Sequence, residues 1–131
     1  MDWSHIIIPE IPVAAILQHC TLANLPRLCT DVYHVEDIVA DGSTARTECL
    51  WGVFELECRP IRNGIRYALT SCPNAFQWTV TSRHGETVVH GSINQMTPDP
   101  EFAESIAEFL QNFHSGLRQQ AHRNDNPPSE P

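Results

Sequence analysis

Phe102, Ile106, Phe109, Leu110, Phe113 and Leu117 recur at helical spacing near the end of this chain, while Glu101, Glu104, Glu108, Gln111 and Asn112 fall off that stripe. A helix with so many large apolar residues on one side must lie across another element, because the stripe is unstable in water. The residues Thr97-Pro98-Asp99-Pro100 mark its start. Asp99 suits the N-cap, Pro100 the first helical position, and Glu101 and Glu104 the positive end of the helix dipole.

The residues before this helix set what it lies on. From Val32 to Ala40 the chain is rich in β-branched residues, and Asp41-Gly42 turns it into Thr44 to Arg59. Along that second run Leu50, Phe54, Leu56 and Cys58 share one strand face, with Glu55 and Glu57 on the other. Asn63-Gly64 is a strong hairpin signal, and a two-residue loop there predicts Cys58 opposite Leu69 and Leu56 opposite Ser71. Tyr67 and Leu69 then share a face with Leu56 and Cys58. After Cys72-Pro73-Asn74, Phe76, Trp78 and Val80 alternate with polar residues, and His84-Gly85-Glu86 leads into Thr87 to Ile93. The expectation is an α+β fold with an antiparallel meander of about five strands under the C-terminal amphipathic helix.

Residues 1–10 read as an N-terminal arm that docks through Trp3 and Ile6 to Ile8. Pro12 then opens a helix carrying Val13, Ile16, Leu17 and Cys20. The single domain spans 11–118. Residues 119–131, whose only apolar residue is Ala121, read as a disordered tail.

Charge narrows the function classes. The chain of 131 residues carries a net charge of −8, and all 8 of its Lys and Arg positions are arginine. Without lysine there is no Schiff-base or P-loop chemistry, and scattered arginines on an acidic chain do not suit direct nucleic-acid binding. The 5 cysteines lack CxxC spacing, no basic and apolar leader is evident, and no apolar run approaches the roughly 20 residues of a membrane span. Reduced thiols and a cytoplasmic location are the expectation.

Candidate chemistry is sparse. His19, Cys20, Cys29 and His34 match no compact zinc spacing, so neither a metal nor a cofactor is expected. His34 and Glu36 share a strand face, but same-strand neighbours do not converge on a substrate, and a solvent-facing strand edge explains them equally well. Cys72 is the one cysteine that a turn exposes, yet a lowered pKa would need a cation such as Arg66 or Arg83 beside it. No catalytic residue is assigned. Trp51 and Val53 lie beside Glu48, Glu55 and Glu57, and if no arm or helix covers them they form an acid-framed apolar patch suited to a basic or amphipathic protein segment.

The leading expectation is therefore a binding module that masks, escorts or inhibits another protein, with a homodimer left open. In size, acidity, antiparallel sheet and final helix it resembles type III secretion chaperones, and immunity proteins and phage-type inhibitors share the small acidic format. The alternative is a small-ligand or enzymatic cup between sheet and helix, its pocket lined by Phe54, Tyr67, Trp78 and Phe109, with Tyr67 and His90 as polar groups. A structural subunit of a larger assembly is the third reading.

Overall fold

The computed structural model describes residues 1–125, with side chains described as far as Ala121. Its strands are β1 (Asp2–Ile7), β2 (Val32–Glu36), β3 (Thr44–Cys49), β4 (Gly52–Ile61), β5 (Gly64–Leu69), β6 (Gln77–Arg83) and β7 (Glu86–Ser92). Helices α1 (Val13–His19) and α2 (Leu25–Leu28) separate β1 from β2, and α3 (Pro100–Asp125) follows β7. All seven strands join one sheet in the order β1-β7-β6-β5-β4-β3-β2, antiparallel throughout.

The α+β class, the antiparallel sheet and the C-terminal helix agree with expectation, but the sheet has seven strands rather than five. Both additions have a physical cause. The expected arm is strand β1, paired with β7 from Asp2↔Ser92 to Ile7↔Thr87. Its alternation is blurred by the Ile6-Ile7-Ile8 run, in which Ile7 is buried while Ile6 and Ile8 are exposed. The second addition comes from Thr44 to Arg59, which folds back at Leu50-Trp51 so that Cys49 pairs with Gly52. Leucine and tryptophan are not turn formers. The turn relies instead on Gly52, whose φ of 126° is a conformation that side chains disfavour.

The β4–β5 hairpin is displaced from the expected register. Ile61 pairs with Gly64, which leaves Arg62-Asn63 as the loop, Leu56 opposite Leu69 and Cys58 opposite Tyr67. Asn63 supplies the positive φ, 64°, while Gly64 belongs to β5. Glycine is required there because a Cβ would collide with the carbonyl of Val80 on β6. The displacement is an even number of residues, so every side chain keeps its expected face.

One face of the sheet is apolar and covered. Trp78 and Val80 of β6, Ile65, Tyr67 and Leu69 of β5, Leu56 and Cys58 of β4 and Val89 of β7 all join the core with α3. Asp99 caps α3 as expected: the backbone N–H groups of Glu101 and Phe102 donate to its Oδ2 at 3.1 and 3.3 Å. Ile106, Phe109, Leu110, Phe113 and Leu117 are buried. The helix touches β1, β7, α1 and α2, and Leu110 lies where a Cβ on Gly91 of β7 would otherwise stand. It also continues past Arg118 to Asp125, with Ala121 buried, so the first part of the expected tail is helical. Residues 126–131 of that tail lie outside the described residues. The opposite sheet face carries Gln77, Thr79 and Thr81 alternating with the core residues of β6, and among the described residues no helix lies on it.

Candidate functional site

Tyr67 and Trp78 face each other across β5 and β6, with stacked rings 4.7 Å apart. Phe109 of α3 meets Trp78 edge-on at 5.0 Å, and Phe113 meets Tyr67 at 5.8 Å. Phe76 and Trp51 extend the layer, Trp51 lying 5.1 Å from Phe109 and donating its indole N–H to Ser105 Oγ at 2.9 Å. The middle of the space between sheet and helix is thus filled by aromatic rings. Within it, Tyr67 Oη and Trp78 Nε1 are buried and have no hydrogen-bond partner of ordinary geometry. Nearly all buried polar groups are paired, so two donors left open in one layer require an explanation.

A pocket of about 320 Å³ adjoins this layer. Three stretches of chain build it. Leu17, Cys20, Leu22 and Ala23 come from α1 and the turn after it, Ile38 and Asp41 from the β2–β3 loop, and Cys58, Pro60 and Ile65 from the β4–β5 hairpin. The wall is largely apolar. Its inner residue Cys58 is the cross-strand partner of Tyr67, and the Cys58 thiol donates to the Cys20 carbonyl at 3.5 Å. The Tyr67 hydroxyl lies behind these residues, with the Cys20 thiol sulfur as a poorly aligned hydrogen-bond partner. Sulfur is a weak acceptor, so this neighbour does not satisfy the hydroxyl.

The charge states in and around the pocket are well defined. Burial pushes the Cys20 thiol up to about 12, reinforced by Cys58. Burial likewise pushes Cys58 up to about 11 and the Tyr67 phenol well above its ordinary value. At the rim, hydrogen bonds from the Ser43 hydroxyl and then its backbone N–H hold the Asp41 carboxyl below the ordinary range. Those bonds measure 2.6 and 2.9 Å. The mouth is anionic and the interior is neutral.

These thiols also set a pH dependence. Their ordinary pKa is 9.0, and it is raised in the fold. Below that value both folded and unfolded chains hold the protons, and the stability is unaffected. Above it the unfolded chain ionises first, so stability is lost as pH rises through about 11 to 12. A urea midpoint that is flat to about pH 9 and then falls is the expected profile. A decline on the alkaline side that is complete by about pH 8 would contradict it.

Of the residues expected at a protein-binding patch, Val53, Glu48, Glu55 and Glu57 share one sheet face and Trp51 leaves it. Trp51 leaves the strand alternation at its turn and packs under α3, so it is not available on the outer face. Val53 stays exposed opposite Glu48, with Glu55 on the same face, while Glu57 is held by Arg59 at 3.2 Å and Arg66 at 3.6 Å. The apolar patch therefore shrinks to one valine. Of the expected pocket residues, Tyr67, Trp78 and Phe109 meet in the aromatic layer and Phe54 is half-buried at its margin. His90 does not join them, because it lies on the outer face beside Asp2 at 3.8 Å. His34 and Glu36, 3.5 Å apart, are also on the open outer side.

Arg66 is engaged with Glu57 and Gln77 rather than with Cys72. Among the described residues no group of three or more His, Cys, Asp or Glu side chains is arranged to hold a metal, and no helix is long and apolar enough to cross a membrane. None of the expected pocket residues lines this pocket, and sequence reading missed its whole lining, Cys20, Ala23, Asp41, Cys58 and Pro60 included. Only the Asp41-Gly42 turn and the inward parity of Cys58 hinted at them.

No family model and no curated protein matches the chain by sequence. Solved structures do match in fold. A START superfamily protein from Mycobacterium smegmatis is similar with a TM-score of 0.63 at 13% identity, over 95% of this chain and 97% of that one. The protein TTHA0849 from Thermus thermophilus gives 0.66 at 12% identity, over 96% and 99%. BexL, a di-domain ARO/CYC from the BE-7585A biosynthetic pathway, gives 0.62 at 14%, over 97% of this chain and 48% of BexL. At these identities the likeness shows the fold, which resembles START/Bet v1-like helix-grip folds. That finding overturns the expectation of a chaperone-like or inhibitory module, since the apolar sheet face is used to hold the chain's own helix.

Proposed function

We propose that this chain binds a small, largely apolar molecule, entering through the pocket between the turn after α1, the β2–β3 loop and the β4–β5 hairpin. The observation that carries the reading is an apolar-walled space of about 320 Å³ leading toward buried donors that, among the described residues, have no hydrogen-bond partner of ordinary geometry. Ligand sites combine apolar walls of roughly this volume, about 300 Å³ upwards, with a few convergent polar groups. The likeness to START/Bet v1-like helix-grip folds, which bind small ligands, supports the reading, with the pocket here lying beside the ring-filled space under the helix.

Binding is favoured over chemistry in this pocket. Its titratable side chains are Cys20, Cys58 and Asp41. The two thiols stay protonated at neutral pH and are poor nucleophiles, and the carboxylate is a weak base at an exposed rim.

A fluorescence titration with the neutral probe N-phenylnaphthylamine tests this. The expected result is saturable enhancement with the unaltered protein. Ala23→Trp, at an exposed position on the pocket wall, should weaken binding at least about tenfold, or about 1.4 kcal/mol, without moving the denaturation midpoint. Absence of saturable binding, or equal binding by the variant, would sink the reading.

A further inference from the structure

We infer that the ligand is an uncharged molecule bearing a hydrogen-bond acceptor such as a carbonyl, and that the Tyr67 hydroxyl donates to it at the inner end of the pocket. This rests on the pocket reading above and adds the ligand's charge class and the residue that recognises it.

The hydroxyl is the first ground. Tyr67 is fully buried, its pKa is raised by burial so that it keeps its proton, and its oxygen has no partner of ordinary geometry. A buried phenol whose only neighbouring acceptor is a poorly aligned thiol sulfur is costly to the empty protein, and an incoming oxygen acceptor lowers that cost. The stacked Trp78 carries a second unpartnered donor, so the layer offers hydrogens and lacks an acceptor. The Cys20 and Cys58 thiols separate the pocket from the hydroxyl, and both are unbranched side chains that can change rotamer. The ligand's acceptor reaches Tyr67 as the Cys20 thiol turns aside.

Charge is the second ground. The chain has no lysine, and no arginine lines the pocket. Arg59 bears on Asp41 at the mouth but is paired with Glu57 at 3.2 Å. An anion entering would pass the fixed Asp41 carboxylate and then lose its water with no countercharge inside. A cation would be drawn to the Asp41 carboxylate at the mouth, but further in it would meet the Cys20 and Cys58 thiols and, behind them, the Tyr67 phenol, which present hydrogens rather than strong acceptors. A neutral carbonyl or ether fits the donors and avoids both penalties.

Three probes of similar ring size test this: prodan, a neutral naphthyl ketone whose emission shifts to the red when its carbonyl accepts a hydrogen bond; N-phenylnaphthylamine, neutral and without a carbonyl; and anilinonaphthalene sulfonate, an anion. With Tyr67→Phe, prodan affinity should fall about five- to tenfold and its emission should move to the blue, as for loss of one net hydrogen bond. N-phenylnaphthylamine should bind both proteins alike, and the sulfonate should bind the unaltered protein at least about tenfold more weakly than the amine.

The denaturation midpoint of ligand-free Tyr67→Phe should be unchanged or higher. A lower midpoint would mean that the hydroxyl is already engaged, and would overturn the assignment. Equal prodan binding and emission in both proteins would also overturn it, while amine binding left the pocket reading standing. A sulfonate as tight as the amine would overturn the charge class. If the amine itself fails to bind, the pocket reading fails and this inference with it.

Discussion

Gly116→Ala is expected to destabilise the protein by about 3 kcal/mol or more, although glycine to alanine inside a helix ordinarily stabilises by about 1 kcal/mol. The reversal of sign comes from one contact. Gly116 lies in α3 where the backbone of α2 crosses it, and a Cβ there would run into the carbonyl of Leu28. Neither partner can retreat cheaply. The α2 segment is fixed by buried Leu25 and Leu28, and its capping residue Cys29 donates its thiol to the Phe109 carbonyl at 3.6 Å. Because α2 directly follows the pocket-lining turn at Thr21 to Ala23, the same substitution should also weaken N-phenylnaphthylamine binding. Urea denaturation reads the first effect, with Ser115→Ala on the same helix as the control for helix propensity. A stabilised Gly116→Ala protein would show that α2 does not press on α3.

Phe109→Ala should cost about 3–5 kcal/mol, the range for truncating a buried aromatic. Its ring is the part of α3 that touches the most of the aromatic layer, at 5.1 Å from Trp51, 5.5 Å from Phe76 and 5.0 Å from Trp78. Removing it leaves a hole bounded by rings that are held from several sides and so cannot collapse into it. A loss below about 1 kcal/mol, typical of surface sites, would contradict the placement of α3.

The elements differ in how much of them could be read from the sequence, and the difference follows the range of the interactions that fix them. Helix α3 was legible from Asp99 to Leu117 because its cap and stripe are properties of adjacent turns. The β4–β5 hairpin was legible in its faces but not in its register, since Asn63-Gly64 admits two loop placements and only the close approach of Gly64 to Val80 on β6 selects one. Strand β1 was not legible as a strand, because what stabilises it is a partner strand far along the chain. The β3–β4 turn was hidden because Leu50-Trp51 looks like strand interior, and its cause is the conformation of Gly52 together with the contacts Trp51 makes under α3.

The site shows the same division. Tyr67, Trp78 and Phe109 followed from alternation and helical period. His90 was assigned the wrong face because Val88 and Val89 are both apolar and leave the parity of β7 open; pairing of Val89 with Val80 decides it. The pocket was out of reach, since its walls come from two loops and a hairpin that only the folded chain brings together.

The position of β1 at the far edge bears on the order in which the protein can assemble. Its residues are made before those of the other strands, yet its partners run from Thr87 to Ser92. During synthesis the opening segment has no place in the sheet until nearly all of the meander has emerged. The β2 to β7 hairpins can form sequentially from neighbours, whereas β1 must close a loop that spans most of the domain, and such non-local pairing is slow. The exposed edge of β7 and the apolar residues Ile7 and Trp3 therefore meet late, which makes the nascent chain most vulnerable to mispairing just before its last strand is seated.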